Sequence, residues 1–306
     1  MTKKTRHLLA SYDLQAEEVD FLLKSASALK SNPSRILEGK QLALLFEKPS
    51  LRTRVSFQVA MRYLGGETTY LAPQEVGLGE REAIKDVARV LSRYLDIIAV
   101  RTFAQEIVEE FAKFSSVPVI NALTNEEHPC QALADLFTLY ERVGTLKGFP
   151  LAFIGDGNNV ASSLVVTAAS LGLDVRLATP KGYLPSERVL NEADLRANES
   201  GGRFFVTDIP EKAVEGAQAV YTDTWVSMGQ EREAEQRRIV FKDYQVNKKL
   251  LEFADDSVLV MHDLPAHRGE EITDEVFEGK NSIIFDQAEN RTWAQAAVVA
   301  FLLGTI

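Results

Sequence analysis

With 306 residues, 45% hydrophobic and 25% charged, the chain has the composition of a globular protein with room for two modest cores, which excludes disordered and fibrous classes. A formal charge of −10 at pH 7 sets its field against a nucleic-acid backbone, so no nucleic-acid partner is expected, and a small anionic substrate requires a local cluster of cations. One cysteine, Cys130, rules out an internal disulfide framework and fits a cytoplasmic setting, and no run approaches the roughly 18 apolar residues of a membrane span.

In chain order, Lys3, Lys4 and Arg6 precede an apolar stretch that breaks at Ser11, Tyr12 and Asp13, so no signal-peptide core is expected. Short apolar runs of strand type then alternate with stretches of helical spacing, the pattern of α/β units around a parallel sheet. Strands are expected at 41–46, 67–71, 97–101 and 117–121, and a second set at 150–154, 174–178, 219–222, 258–261 and 282–285. Between the first two, Val55, Val59 and Tyr63 recur every four residues up to Gly65-Gly66, which reads as a helix with an apolar face and a glycine stop. Residues 84–94 read the same way, and 291–303 form a helical stretch after the last expected strand. A break at 144–148 divides the chain into two α/β domains, with no short internal repeat and no low-complexity tract.

Five segments follow expected strands, where open α/β sheets assemble their sites. Ser50, Arg52 and Thr53 stand between a strand and a helix, where free backbone N–H groups and the positive helix end favour an anion such as phosphate; a capped helix with solvated arginines is the plainer alternative. His128 and Gln131 share a face if a helix starts at Pro129, and an imidazole with an amide can orient a carbonyl. Gly155-Asp156-Gly157-Asn158-Asn159-Val160 has Gly-x-Gly after a strand, but Val160 in place of the third glycine weakens a dinucleotide reading and leaves two asparagines for a polar ligand. Asp223, Ser227 and Met228 suit an ammonium, a carboxylate and an apolar wall respectively; the fifth segment runs from His262 to Gly269.

Taken together, Phe-Glu-Lys-Pro-Ser-x-Arg-Thr-Arg, His-Pro-Cys-Gln-x-Leu-Ala-Asp, Asp-Gly-Asn-Asn, Asp-x-Trp-x-Ser-Met-Gly and His-x-Leu-Pro-Ala resemble the aspartate/ornithine carbamoyltransferase family, in order from Gln41 to the C-terminus. The Ser-Met-Gly loop separates the chain from the aspartate-using members. The resemblance implies two domains, each a parallel sheet flanked by helices: residues 1–143 for carbamoyl phosphate, with a C-terminal helix at 290–306 returning to them, and 149–289 for ornithine. It implies carbamoyl transfer from carbamoyl phosphate to the δ-amine of L-ornithine, giving citrulline and phosphate in arginine metabolism. It also implies a homotrimer or multiple of trimers with sites at subunit interfaces, and neither metal nor cofactor. By matching position, Ser50, Leu51, Arg52 and Thr53 hold the phosphate, Arg101, His128 and Thr53 surround the carbonyl oxygen, Gln131 meets the carbamoyl nitrogen and Arg291 closes on the same ligand. Asn159, Asp223, Ser227 and Met228 take the amino-acid end of ornithine, with Asp263 and Leu264 beside the reacting amine.

Three positions depart from the family pattern. Leu51 replaces a threonine, Gly77 stands where many relatives place a Gln or His that reaches a neighbouring subunit, and Asp263 replaces the cysteine of His-Cys-Leu-Pro. Either Asp263 turns to a cation such as Arg291 or to backbone donors, or its carboxylate stabilises the δ-ammonium and moves activity to higher pH than in an Asp263→Cys variant. The alternatives are a transferase for putrescine, acetylornithine or lysine, and a carbamoyl-phosphate-binding protein without turnover.

Overall fold

The computed structural model describes residues 5–79 and 81–306; Lys3 and Lys4 lie outside them. Among the described residues nine strands form two all-parallel sheets, β1 (Gln41–Phe46), β2 (Glu67–Leu71), β3 (Ile97–Arg101) and β4 (Val119–Leu123) in the first, in the order β2-β1-β3-β4. The second holds β5 (Pro150–Ile154), β6 (Asp174–Ala178), β7 (Arg203–Thr207), β8 (Ala219–Thr222) and β9 (Leu259–Met261), in the order β7-β6-β5-β8-β9. The chain divides into two compact units, Met1–Phe137 with Glu289–Ile306, and Thr138–Ala288. The C-terminal helix Ile284–Leu303 thus contributes its later turns to the first unit.

Central strands read as unbroken apolar runs because helices cover both faces: β3 is buried along its whole length, and β1 everywhere except Gln41. In the first unit Ala43, Leu45, Ile98 and Val100 pack with Val108 and Phe111 of the helix Gln105–Phe114. In the second, Ile154, Val220 and Val260 pack with Phe241 and Ile272. Each large apolar side chain buried this fully contributes about 1.5–3 kcal/mol.

The structure revises several expectations. The helix Leu51–Leu64 stops where expected, at Gly65 with φ 84°, a left-handed conformation that glycine adopts without penalty. Its core face, however, is Thr53, Ser56, Phe57, Ala60, Met61 and Leu64, while Leu51, Val55 and Tyr63 are exposed. The row at four-residue spacing is therefore the outer face. Residues 282–285 are not a strand: Ser282 forms one bridge to Val260, and the helix begins at Ile284. A three-residue apolar run does not distinguish the two periods, and Ile283 and Ile284 are both buried beside 62% exposure of Phe285, which strict alternation does not give. The strand expected at 117–121 lies at Val119–Leu123, the helix expected at 84–94 ends at Leu91, and β7, at a sheet edge, was not anticipated. The division between units falls inside the helix Pro129–Val143, ahead of the glycine-bounded turn at 144–148.

Candidate active site

In the first sheet the strand order reverses direction between β1 and β3, and such a switch point opens a crevice beyond the strand carboxyl ends. The segment after β1 and the last residue of β3 meet there. Ser50 caps the helix, its Oγ accepting from the Thr53 N–H at 3.2 Å, so the free N–H groups of the first turn face the same region. The Thr53 hydroxyl accepts from Arg291 Nη2 at 2.5 Å and from Arg101 Nη1 at 3.4 Å. Its lone pairs are thereby engaged, and its own proton is what remains to donate to a ligand. Arg101, Arg291, Thr53, His128 and Gln131 are all buried.

His128 is positioned by a chain of local bonds. Glu127 accepts from the backbone N–H and hydroxyl of Ser11 at 2.9 and 3.1 Å, and Thr124 accepts from the Glu127 N–H. The His128 carbonyl then accepts from the Gln131 and Ala132 N–H groups, opening the helix at Pro129. Burial first, then Arg291 and Arg101, holds the His128 pKa well below the usual imidazole range, so the ring is neutral near pH 7. Gln131 donates from Nε2 to Asp135 Oδ1 at 2.8 Å, while its buried Oε1 has no hydrogen-bond partner among the described residues. That oxygen suits an amide N–H. Lys48 donates to Asn125 Oδ1 at 2.5 Å and lies 4.4 Å from the Phe103 ring centroid; burial, with Arg101 assisting, pulls its pKa down to about 8.

The second sheet reverses between β5 and β8. After β5, Gly157 lies so close to its neighbours that a Cβ would come 2.4 Å from the Tyr183 carbonyl oxygen and Pro185 Cδ, so only glycine fits. Asn158 caps the helix Asn159–Ser170 through bonds from the Val160 and Ala161 N–H groups, and its Nδ2 donates to Asp223 Oδ2 at 2.7 Å. Asn159, the residue singled out from the sequence, accepts from Val160 N–H at 3.1 Å. Asn158 is the asparagine that meets Asp223. Its N-cap role was readable from residue type before an apolar helix, whereas its bond to a residue 65 positions away was not. Ser227 is held by a two-way bond with Gln230, and Met228 is 49% exposed.

Arg237 was missed. It donates to Asp156 Oδ2 at 2.8 Å and to the Trp225 carbonyl at 3.1 Å, tying the loop after β8 to the loop after β5. Desolvation raises the Asp156 pKa to about 6 against the opposing pull of Arg237.

After β9, Asp263 is buried close to Asp223. Burial, then Asp263, pushes the Asp223 pKa well above the carboxylate range. His262 Nδ1 accepts from the Leu264 N–H at 2.9 Å and Nε2 lies 3.1 Å from Glu271 Oε1, which puts the ring proton on Nε2. Leu264 has φ 67°, a strained value for a branched residue, and precedes a cis peptide to Pro265. Among the described residues, Asp223, His262 and Asp263 are the group whose ligand atoms converge, within 4.8 Å. Both ring nitrogens of His262 are already engaged, by the Leu264 N–H and by Glu271, so the donor set does not suit a metal ion. Gly77 is left-handed, with φ 56°, and a Cβ there would meet Arg81 Cβ at 2.8 Å; Leu51 is 75% exposed.

Comparison with known proteins matches both units. Residues 6–141 fit the model for the aspartate/ornithine carbamoyltransferase carbamoyl-P binding domain, and residues 147–302 that for the Asp/Orn binding domain. The chain is 52% identical to ornithine carbamoyltransferase of Pyrococcus abyssi over 308 residues, covering 99% of this chain and 97% of that protein. It is similar to the solved ornithine carbamoyltransferase of Pyrococcus furiosus, with a TM-score of 0.95, 51% identity and coverage of 99% and 98%. The Thermus thermophilus structure of the same name gives a TM-score of 0.88 at 46% identity, covering 99% of this chain and all of that one.

Proposed function

The chain belongs to the aspartate/ornithine carbamoyltransferase family, and from that premise we propose that it transfers the carbamoyl group of carbamoyl phosphate to the δ-amine of L-ornithine, releasing citrulline and phosphate. Carbamoyl phosphate belongs to residues 1–143 with 290–306, and ornithine to 149–289. Ser50, the Leu51 N–H, Arg52 and Thr53 take the phosphate, supported by the capped helix start. As the neutral amine attacks, charge develops on the carbonyl oxygen, and Arg101, Thr53 and neutral His128 stabilise it as donors. Gln131 Oε1 accepts from the carbamoyl nitrogen, and Arg291 pins Thr53 while facing the same ligand. Asn159, Asp223, Ser227 and Met228 hold the α-amino and α-carboxylate groups, and Asp263 and Leu264 border the δ-amine. The observation that carries the reading is two buried guanidinium groups and a neutral imidazole assembled at the first sheet's switch point.

No helix among the described residues is long and apolar enough to cross a membrane; we place the protein in the cytoplasm, a setting that its single cysteine, the buried Cys130, fits. A homotrimer, or a multiple of trimers, is the assembly the family resemblance implies, and the exposed row Leu51, Val55 and Tyr63 is an apolar surface that a second copy could cover. The test is product formation from carbamoyl phosphate with ornithine, putrescine, acetylornithine, lysine and aspartate side by side. Citrulline well above the other products is the expected result; preference for another amine, or binding without phosphate release, overturns the reading.

A further inference from the structure

The apolar stretch Leu8-Leu9-Ala10, too soon broken to be a signal-peptide core, has a place in the first sheet. β4 is an edge strand of that sheet, and an edge leaves a row of backbone groups to be satisfied. The N-terminal segment meets them. Leu8 N–H donates to the Val119 carbonyl at 2.9 Å, the Leu8 carbonyl accepts from the Asn121 N–H at 2.7 Å, and Leu8 pairs with Ile120 in parallel. Asn121 Nδ2 and Gln105 Nε2 both donate to the Leu9 carbonyl, at 2.8 and 3.1 Å. Asp13 Oδ2 accepts from the Leu9 and Ala10 N–H groups and turns the chain, and Ser11 then meets Glu127. Leu8, Ala10, Ser11, Gln105, Asn121 and Glu127 are all buried.

Glu127 is the residue before His128, and its side chain, N–H and carbonyl are each fixed. Both carboxyl oxygens accept from Ser11, its N–H donates to Thr124 Oγ1 at 3.1 Å, and its carbonyl accepts from the Thr124 N–H at 2.9 Å. Thr124 Oγ1 donates in turn to Gln105 Oε1 at 2.7 Å, which closes the network on the residue that holds Leu9. On the other side of the imidazole, the His128 carbonyl accepts from the Gln131 and Ala132 N–H groups, and Pro129 restricts the backbone of the residue before it. With the backbone held on both sides, the imidazole is left with its two side-chain torsions. From this arrangement, which rests on the carbamoyl-transfer reading for what His128 does, we infer that the segment His7–Ser11 belongs to the catalytic apparatus: Ser11 and Glu127 are positioning residues that hold the His128 imidazole where charge develops on the carbonyl oxygen. A donor stabilises such charge to the degree that it is aimed before the reaction, and a misplacement of about 1 Å costs up to about a hundredfold in rate. A connected network of buried hydrogen bonds supplies that rigidity.

A double-mutant cycle in steady-state kinetics on the intact protein tests this. Glu127→Ala should lower kcat by about 10- to 100-fold while KM for both substrates stays within about twofold, and Glu127→Gln, which keeps an oxygen for Ser11, should recover most of the rate. In a His128→Ala background the same Glu127→Ala change should lower kcat by less than about twofold, because the group it positions is gone. If Glu127→Ala fails to fold, Ser11→Ala carries the cycle; it removes the hydroxyl bond, keeps the backbone one and should lower kcat by about 3- to 10-fold. With ring-labelled histidine, the His128 NMR signal is assigned by its loss in His128→Ala. It should move in Glu127→Ala or Ser11→Ala, while those of His262 and His267, in the second unit, stay in place. An unchanged kcat, a loss that multiplies undiminished onto His128→Ala, a loss carried by KM, or an unmoved His128 signal overturns the inference. A wild type that forms no citrulline overturns the transfer reading instead, and the histidine spectrum then decides the positioning by itself.

Discussion

Thr53 is a small residue whose importance comes from what converges on it. A hydroxyl offers one donor and two acceptor sites, and Arg291 and Arg101 use the acceptor side, so the remaining proton is directed by elimination. Thr53→Val keeps the shape and removes both functions; the expected result is a fall in kcat of about 10²–10³, the usual cost of losing one oxyanion donor, with substantial recovery in Thr53→Ser. Lys48 gives a pH signature on the same side. Its pKa of about 8 means that it is charged at neutral pH and loses its proton as pH rises through that value, so KM for carbamoyl phosphate should climb above about pH 8. In Lys48→Met that KM should be high throughout and the alkaline rise absent. The residue types were legible from sequence because each motif sits at a strand end. Thr53 accepting from both arginines was not, since Arg291 comes from a helix 238 positions away.

At the scale of elements, the two loops that bear Asp156 and Ser227 are tied by Arg237, which sits on the helix Ala234–Phe241. Both members of the Arg237–Asp156 pair are buried, at 8% and 7% side-chain exposure, so deleting the acid leaves the buried guanidinium with only the more exposed Glu233 carboxylate and the Trp225 carbonyl. Asp156→Ala is expected to cost about 3–5 kcal/mol of stability, readable by denaturant unfolding. The raised pKa of Asp156 sets opposite signs for stability and for the tether. Its favourable linkage to folding is complete below the ordinary carboxylate range and is lost as pH rises through about 6, whereas the ion pair with Arg237 exists only above about 6. In a Trp293→Phe background, Trp225 emission should therefore shift as pH falls through about 6, and Asp156→Asn should abolish the step. The strands that carry the site, β1, β3, β5 and β8, were legible as apolar runs because both of their faces are covered. Edge strand β7 alternates in burial weakly, and residues 282–285 carry the same apolar run into a helix, so period alone misread both. The helix Leu51–Leu64 shows the converse, since its clearest apolar row faces outward.

For the whole molecule, an acidic surface and an anionic substrate are opposed, and the position of the cations decides how the conflict resolves. Lys48, Arg101 and Arg291 are buried, while the charge of −10 is carried largely by an exposed surface. Mobile ions screen exposed charges over a Debye length of about 10 Å at 0.1 M salt and screen buried ones far less. Adding salt should therefore weaken the long-range repulsion of carbamoyl phosphate more than its short-range capture. The expected outcome is that kcat/KM for carbamoyl phosphate stays level or rises as inert salt goes from low to physiological ionic strength. A steep fall over that range, of the kind produced by electrostatic steering from surface lysines and arginines, would show instead that exposed cations bring the substrate in. Lys48→Met separates the contributions further. Losing a buried cation should lower kcat/KM by a similar factor at every ionic strength, whereas losing a steering cation at the surface should matter only at low salt.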